Sequence, residues 1–200
     1  MRLTKTELRS QQMRLMQFQR YLPTLQLKKA MLQFEVNLVQ LEIEKLGCEM
    51  DSCRQQVEEF APFLVEKVTV NLMEYAEVLH VKKHYENIAG VEIPIFQKVV
   101  FREPEYFLFE TPPWTERAAE LLQDLVVARE KIRIAEEKRR ALEKELREVS
   151  IRVNLFEKVL IPRAQGNISK IKIFLGDQQL AAVAQAKVAK RKIFERKMSV

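Results

Sequence analysis

The side chains best suited to chemistry are few in this chain and lie in pairs rather than in clusters. His80 and His84 are four residues apart, which on a helix places both imidazoles on one face, as in many zinc sites. No cysteine or acidic cluster completes a zinc-binding set, so we favour a solvated helix end over a metal site. Cys48 and Cys53 are five residues apart on a predicted helix and point in different directions, which predicts two free thiols.

Motifs for catalysis and for nucleotide binding are also missing from the sequence. The adjacent acids Glu58-Glu59 and Glu136-Glu137 are more typical of solvated helix faces than of a catalytic pair. The sequence contains neither a glycine-rich phosphate loop nor a nucleophile motif. We therefore expect no catalytic residues, no cofactor and no metal ion, and a chain that is not itself an enzyme.

The composition indicates long helices that are surrounded by water. The 200 residues are 47% apolar and 31% charged, with only 4 glycines and 7 prolines. Ordinary globular domains are about a quarter charged and contain more glycine. The first residues lack the apolar stretch of a secretory signal, and no segment reaches the roughly 18 uncharged apolar residues of a membrane span. These features predict a cytosolic protein, or one that is peripheral to something that is not cytosolic.

Apolar residues follow one regular stride in each half of the chain. Steps of three and four residues trace an apolar stripe from Leu8 to Leu64, in which fifteen of seventeen positions are apolar. A second stripe runs from Ala118 to Leu160; Arg139 alone interrupts it, and it shifts in phase after Pro162. An average spacing of 3.5 residues is typical of the seam between coiled-coil helices.

The two stripes predict a mainly all-α fold, in which two very long helices form an antiparallel left-handed coiled coil. The expected regions are an N-terminal helix within residues 1–84, a middle segment over 85–113 and a C-terminal helix within 114–200. Each helix would be roughly 120 Å long and would need a partner to be stable. Pro23, Pro62 and Pro162 fall within these helices, and we expect each to bend its helix locally without ending it.

The middle segment differs in composition from the two helices. Four of the seven prolines lie between residues 94 and 113, and period-two alternation and β-forming residues predict a short hairpin over roughly residues 90–110. Thr111 and Pro112 are suited to cap and restart a helix. The hairpin is either a cap on the coiled coil or a docking edge for a partner by strand addition, which we favour modestly. Its expected docking residues are Val91, Ile93, Pro94, Ile95, Phe107 and Phe109.

Basic residues are concentrated at both ends of the chain. Residues 1–29 carry a net charge of +6 and residues 187–200 a net charge of +5, against +6 for the whole chain. Because the ends of an antiparallel helical hairpin meet, the sequence predicts a basic tip and a mildly acidic remainder. On charge alone, such a tip fits an acidic protein socket as well as nucleic acid.

Four segments, in order along nearly the whole chain, resemble one known family. They are Thr4–Leu8 followed by a basic helix, Gly90–Ile95, the string VNLFEKVLIPR at Val153–Arg163, and the basic Lys187–Lys192. The family is the D subunit of the V-type and A-type ATPases (ATP synthases), and its V-N-A-L-E-x-V-x-I-P-R stretch is the most specific match. The chain departs from the family in its glutamine-rich residues 11–24 and in the segment that follows Gly176.

This resemblance implies a non-catalytic rotor shaft in the central stalk, which couples ATP hydrolysis or synthesis to transport of hydrogen or other ions. The implied partners are a hexamer of catalytic and regulatory subunits around the basic tip, a small central-stalk subunit, and a funnel-shaped adaptor to the membrane ring. Neither nucleic acid binding nor membrane insertion is implied, and the implied location is the cytoplasmic face of the membrane. The tip residues expected to contact the hexamer are Arg9, Arg14, Arg20, Lys28, Lys29, Ile161, Pro162, Arg163, Lys187, Lys190, Arg191 and Lys192.

Two other functions are compatible with the seams and with the charge. A static coiled-coil adaptor, such as the stalk of an export ATPase, would need the same heptads. A nucleic-acid-binding helical arm is suggested only by the basic ends. Association of one chain with an ATPase hexamer would favour the rotor, and strongly salt-dependent binding to RNA or DNA would favour the arm.

Overall fold

Long helices and one two-stranded sheet make up the described part of the chain. The computed structural model describes residues 2–60, 62, 72–102, 112 and 114–198. A five-residue π-helical turn, Phe156–Leu160, joins the last two helices. The mainly α-helical fold with a mid-chain hairpin is confirmed. The elements are α1 Lys5–Phe60, α2 Leu72–Tyr75, β1 Val78–Ile88, β2 Val91–Phe101, α3 Thr115–Leu155 and α4 Ile161–Met198.

The chain divides into two compact units. Unit 1 consists of Met1–Leu27 and Val149–Val200, and unit 2 consists of Lys28–Glu148. Unit 1 therefore contains the two chain ends, and unit 2 contains the sheet.

In unit 2, α1 packs antiparallel to α3 along the predicted seam. Leu32 of α1 and Leu142 of α3 are fully buried. Polar contacts flank this core: the Lys28 ammonium lies 2.7 Å from a Glu145 carboxylate oxygen. Arg139, the one interruption of the second stripe, donates from Nη1 to the Gln40 side-chain oxygen at 2.8 Å. The arginine thus enters the seam with a partner on the opposite helix, and such a polar layer fixes the register of a coiled coil.

The hairpin of unit 2 begins earlier in the chain than predicted. The helix expected to reach residue 84 ends sooner, so that boundary is wrong, because His80 and His84 lie in β1. The hairpin expected over roughly residues 90–110 consists instead of Val78–Ile88 and Val91–Phe101, joined by a two-residue turn. Ala89 and Gly90 both have positive φ, 52° and 83°. These values define a type I′ turn, which matches the twist of the two strands.

The hairpin lies along the helices of unit 2 and is held there at several points. The Gln123 amide of α3 donates to the Tyr75 carbonyl oxygen at 2.9 Å, just before β1. The Lys83 ammonium of β1 lies 2.6 Å from a Glu137 carboxylate oxygen of α3. Burial is concentrated on β2, where Ile93 is fully buried, whereas most of β1 is exposed. The tertiary contacts of β2 therefore stabilise a hairpin that would be marginal alone.

In unit 1, the start of α1 packs against the end of α3 and the start of α4. Thr4 begins α1 as its cap, because its hydroxyl accepts from the Glu7 backbone N–H at 3.3 Å. The Phe18 and Phe156 rings meet edge to face, with centroids 5.3 Å apart. Ala164, Ile168 and Ile171 bury the inner face of α4. The seam stripe that shifts after Pro162 is therefore confirmed as the buried face.

The prolines affect the helices in three different ways. Pro23 lies inside α1, which continues through it as expected. Pro62 lies beyond the end of α1 at Phe60 and so outside that helix, contrary to its expected placement. Pro162 follows the π-helical turn, in which the Ile161 N–H bonds to the Phe156 carbonyl oxygen five residues back. This turn holds one residue more than an α-helical turn, which accounts for the phase shift of the stripe.

Candidate partner-binding surfaces

The last part of α4 contains no buried residue wherever the structure describes its side chains. The buried positions of α4 end at Ile171, and every residue from Asp177 to Arg196 is exposed. We call residues 177–198 the C-terminal extension; at 1.5 Å per residue it is about 33 Å long. Its exposed apolar side chains include Leu180, Val183 and Phe194. Since helices in proteins owe most of their stability to packing, this one is suited to be covered by another protein.

The two units carry opposite net charges. Unit 1 contains 16 Lys or Arg against 4 Asp or Glu, a net charge of +12. Unit 2 contains 18 Lys or Arg against 24 Asp or Glu, a net charge of −6. Charge of one sign on one compact unit steers association with a partner of opposite sign. The positive charge predicted at the chain ends therefore belongs to unit 1 as a whole.

The residues predicted to contact a hexamer are distributed over both units. Lys28 and Lys29 lie in unit 2, where both are half-buried and Lys28 pairs with Glu145. Ile161 is half-buried in unit 1. The other nine are in unit 1 and exposed: Arg9, Arg14, Arg20, Pro162, Arg163, Lys187, Lys190, Arg191 and Lys192. Lys28 is thus engaged within the chain, and the exposed set is confined to unit 1.

A polar cavity in unit 1 brings two of these arginines together. The cavity has a volume of about 390 Å³ and lies between α1, the π-helical turn and α4. Arg14 lines it from α1 and Arg163 lines it from α4. Both were expected among the tip residues, but no sequence pattern places them in one cavity, since they are 149 positions apart. Their proximity depends on the pairing of the helices and on the phase shift at the π-helical turn.

The residues predicted for docking on the hairpin are mostly covered by the chain itself. Ile93 and Pro94 are buried, and Val91 and Ile95 are half-buried. Pro94 and Ile95 line a cavity of about 260 Å³ together with residues of α1 and α3. Phe107 and Phe109 lie outside the described residues. The four described side chains thus help to hold the hairpin on unit 2, and the exposed strand of the pair is β1.

Sequence reasoning missed an exposed apolar stripe on α1. Met31, Phe34, Leu38 and Leu41 are spaced by three, four and three residues, and each is between 44% and 62% exposed. We call these four residues the outer stripe. Their heptad spacing is the signal that would have revealed it, but it runs beside the stronger seam that includes the buried Leu32. A stripe of this spacing fits the apolar face of another helix.

Neither metal ligation nor membrane insertion is indicated in the part of the chain that the structure describes. There, no group of three His, Cys, Asp or Glu side chains is arranged to hold a metal ion. No described helix is both long enough and apolar enough to cross a membrane. The features that remain are the C-terminal extension, the polar cavity and the outer stripe.

A paired-helix protein with a mid-chain hairpin, opposite charges on its two units and uncovered helical surfaces belongs to the class of coiled-coil assembly proteins. More specifically, residues 7–191 match the family described as the D subunit of ATP synthase, and the chain belongs to that family. The resemblance seen in the sequence is thereby confirmed.

Proteins of two bacterial genera illustrate how far the similarity extends. The V-type ATP synthase D subunit of Chlamydia abortus is 40% identical over 197 residues, which cover 98% of this chain and 95% of the relative. The protein of the same name from Chlamydia trachomatis serovar L2 is 40% identical over 198 residues, which cover 98% of this chain and 97% of the relative. The V-type ATP synthase D subunit of Borreliella burgdorferi is 37% identical over 195 residues, which cover 98% of this chain and 96% of the relative. The similarity therefore includes both units.

Proposed function

We propose that this chain is the non-catalytic central-stalk rotor of a V-type ATP synthase and transmits torque between the catalytic hexamer and the membrane ring. The observation that carries the proposal is the C-terminal extension, a basic helix of 22 residues whose side chains are exposed wherever the structure describes them. A helix that turns inside a ring of subunits must be covered by them without being bound permanently to any one of them. Membership of the D-subunit family supports this role.

Unit 1 supplies the hexamer-facing surface in this proposal. Its net charge of +12 favours a cavity lined with acidic groups. The extension is also rich in alanine: Ala181, Ala182, Ala184, Ala186 and Ala189 lie within nine residues. Small side chains keep the helix thin and smooth, so that it contacts a surrounding surface without interlocking with it. The complex would sit at the cytoplasmic face of the membrane.

Unit 2 supplies the surface for the other partners. The outer stripe is apolar, exposed and helical in spacing, and we assign it to a helix of the small central-stalk subunit. Exposed glutamine and asparagine side chains lie next to it, and Gln33 donates to Asn37 at 3.2 Å. A funnel-shaped adaptor would then join this part of the stalk to the membrane ring.

A photo-cross-linking experiment separates a rotor from a static tether. Val183, an exposed position of the extension, is replaced by p-benzoylphenylalanine in the complex reconstituted with its hexamer. Illumination then links the extension covalently to the hexamer. For a rotor, ATP hydrolysis falls in proportion to the linked fraction, because the hexamer completes its cycle only if the shaft turns.

The control carries the same photoreactive residue at Leu79, which is exposed on β1 in unit 2. Illumination of this variant leaves hydrolysis unchanged. A covalent link at position 183 that forms in high yield without any loss of hydrolysis contradicts the rotor and supports a static adaptor.

A further inference from the structure

The polar cavity of unit 1 contains positive charge that the chain does not neutralise. Arg14 and Arg163 both line it, and neither guanidinium has an ion-pair partner among the residues the structure describes. The one acidic residue of the lining is Glu7, whose carboxylate accepts from the Gln11 side-chain amide at 2.9 Å. The lining therefore combines two arginines with one carboxylate, and like charges on one cavity favour the binding of an anion.

The walls of the cavity are held in place by contacts outside the two arginines. Gln11 is only 8% exposed and is oriented by its hydrogen bond to Glu7. Phe18 forms an apolar wall and is fixed by its edge-to-face contact with Phe156. Asn167 adds a half-buried amide from α4. Packing and hydrogen bonding therefore fix the wall beside the two arginines.

The π-helical turn determines which residues of α4 face the cavity. One extra residue in a helix rotates everything that follows by about 100° relative to an uninterrupted α-helix. Without the turn at Phe156–Leu160, Arg163 would be rotated away from Arg14. π-helical turns occur frequently at functional sites. The turn thus provides a structural reason for the placement of the second arginine.

We propose that this cavity binds a carboxylate group between Arg14 and Arg163. The planar guanidinium fork matches the two oxygens of a carboxylate. With Glu7 in the wall, the three charged groups carry a net charge of +1, which a single carboxylate neutralises. The carboxylate comes either from a small free acid or from an Asp or Glu side chain of the protein that covers unit 1. The second source rests on the proposed function, whereas the first does not.

Arginine modification by p-hydroxyphenylglyoxal, mapped by mass spectrometry on the full-length chain, tests the proposal. At constant ionic strength, acetate should slow the modification of Arg14 and Arg163 in a saturable manner. Arg20, an exposed arginine of α1 outside the cavity, serves as the internal control and should react at an unchanged rate. Inorganic phosphate at the same ionic strength should protect more weakly than acetate at a pH about one unit above the second pKa of phosphate, where the dianion predominates.

Two variants connect the protection to the pair of arginines. Arg163→Gln should weaken the protection of Arg14 by acetate roughly tenfold, since it removes one charge-assisted contact. Arg163→Lys keeps the charge and removes the fork, and it covers the case in which the glutamine variant fails to fold. Arg20→Gln makes the same charge change outside the cavity and should leave the protection intact.

The source of the carboxylate is read from the assembled complex. If a partner carboxylate occupies the cavity, Arg14 is protected in the complex without acetate and Arg163→Gln restores its modification there. If the cavity takes a free acid, Arg163→Gln leaves the modification of Arg14 in the complex unchanged and weakens only the protection by acetate. Protection that is linear in acetate, equal at Arg20 or stronger with phosphate overturns the proposal. Because the first measurements need no partner, such a failure leaves the rotor proposal standing.

Discussion

Two leucines in different surroundings distinguish the stabilising seam from the surface for assembly. Leu142 is fully buried between α3 and α1, whereas Leu180 in the C-terminal extension is 71% exposed. Leu142→Ala removes buried methyl groups and leaves a cavity, which typically costs about 3 kcal/mol of unfolding free energy. Leu180→Ala removes atoms that already contact water, so the expected change in unfolding free energy is within about 0.5 kcal/mol.

The two variants should exchange roles when assembly is measured. Full burial of a leucine side chain contributes about 1.5–3 kcal/mol to the free energy of binding. Most of the Leu180 side chain is exposed in the free chain and can be buried by the hexamer. Leu180→Ala should therefore weaken binding to the hexamer by about 1–2 kcal/mol, or roughly 5- to 30-fold. The assays are urea unfolding followed by circular dichroism at 222 nm and titration of the hexamer with labelled chain. If Leu180→Ala destabilised the free chain as much as Leu142→Ala, the extension would be packed within the chain and the reasoning would be refuted.

Three further substitutions test individual parts of the structure. Ala89→Gly should raise the unfolding free energy by about 0.5–1 kcal/mol because Ala89 has positive φ, and Gly90→Ala should lower it by about 1 kcal/mol. Thermal unfolding measures both changes, and two changes of the same sign would contradict the type I′ turn. Phe34→Ser should weaken binding of the small stalk subunit at least tenfold, measured by calorimetric titration, while the free chain keeps its stability. An unchanged affinity would exclude the outer stripe as the binding site of the small stalk subunit. Glu145→Gln should lower the unfolding free energy by at most about 1 kcal/mol, measured by urea unfolding at low salt, because the ion pair of Glu145 with Lys28 is partly exposed. A loss above about 3 kcal/mol would indicate a fully desolvated pair.

The paired helices were predictable because the seam is a repeated, long-range signal. Leu32, Leu142 and Ile171, all on the predicted stripes, are fully buried. Many positions in phase leave little ambiguity about which face of each helix is covered. The phase shift after Pro162 was visible in the sequence as well. Its cause, a π-helical turn, was not visible, because a shift of one residue does not reveal where the backbone absorbs it.

The hairpin and the candidate sites depend on contacts that local patterns do not contain. Beyond Leu64 the apolar spacing of three and four residues shifts by one and continues through Tyr75 and Leu79, yet Leu79 lies in β1. Strand and helix were both locally possible there, and the burial of β2 against the helices of unit 2 decides in favour of the strand. The alternation that marks a half-buried strand is weak in β1 because most of its residues are exposed. The pairing of Arg14 with Arg163 likewise arises only when α1 and α4 come together.

Direct observation of rotation tests the central claim most clearly. Cys48 is exposed on α1 in unit 2, so in a Cys53→Ser variant a bead or gold particle can be attached to it through biotin. With the hexamer fixed to a surface, the account predicts that ATP drives directed rotation of the particle through many turns, and that the motion stops when ATP is removed. Continued hydrolysis of ATP with a particle that shows only undirected fluctuation would contradict the account.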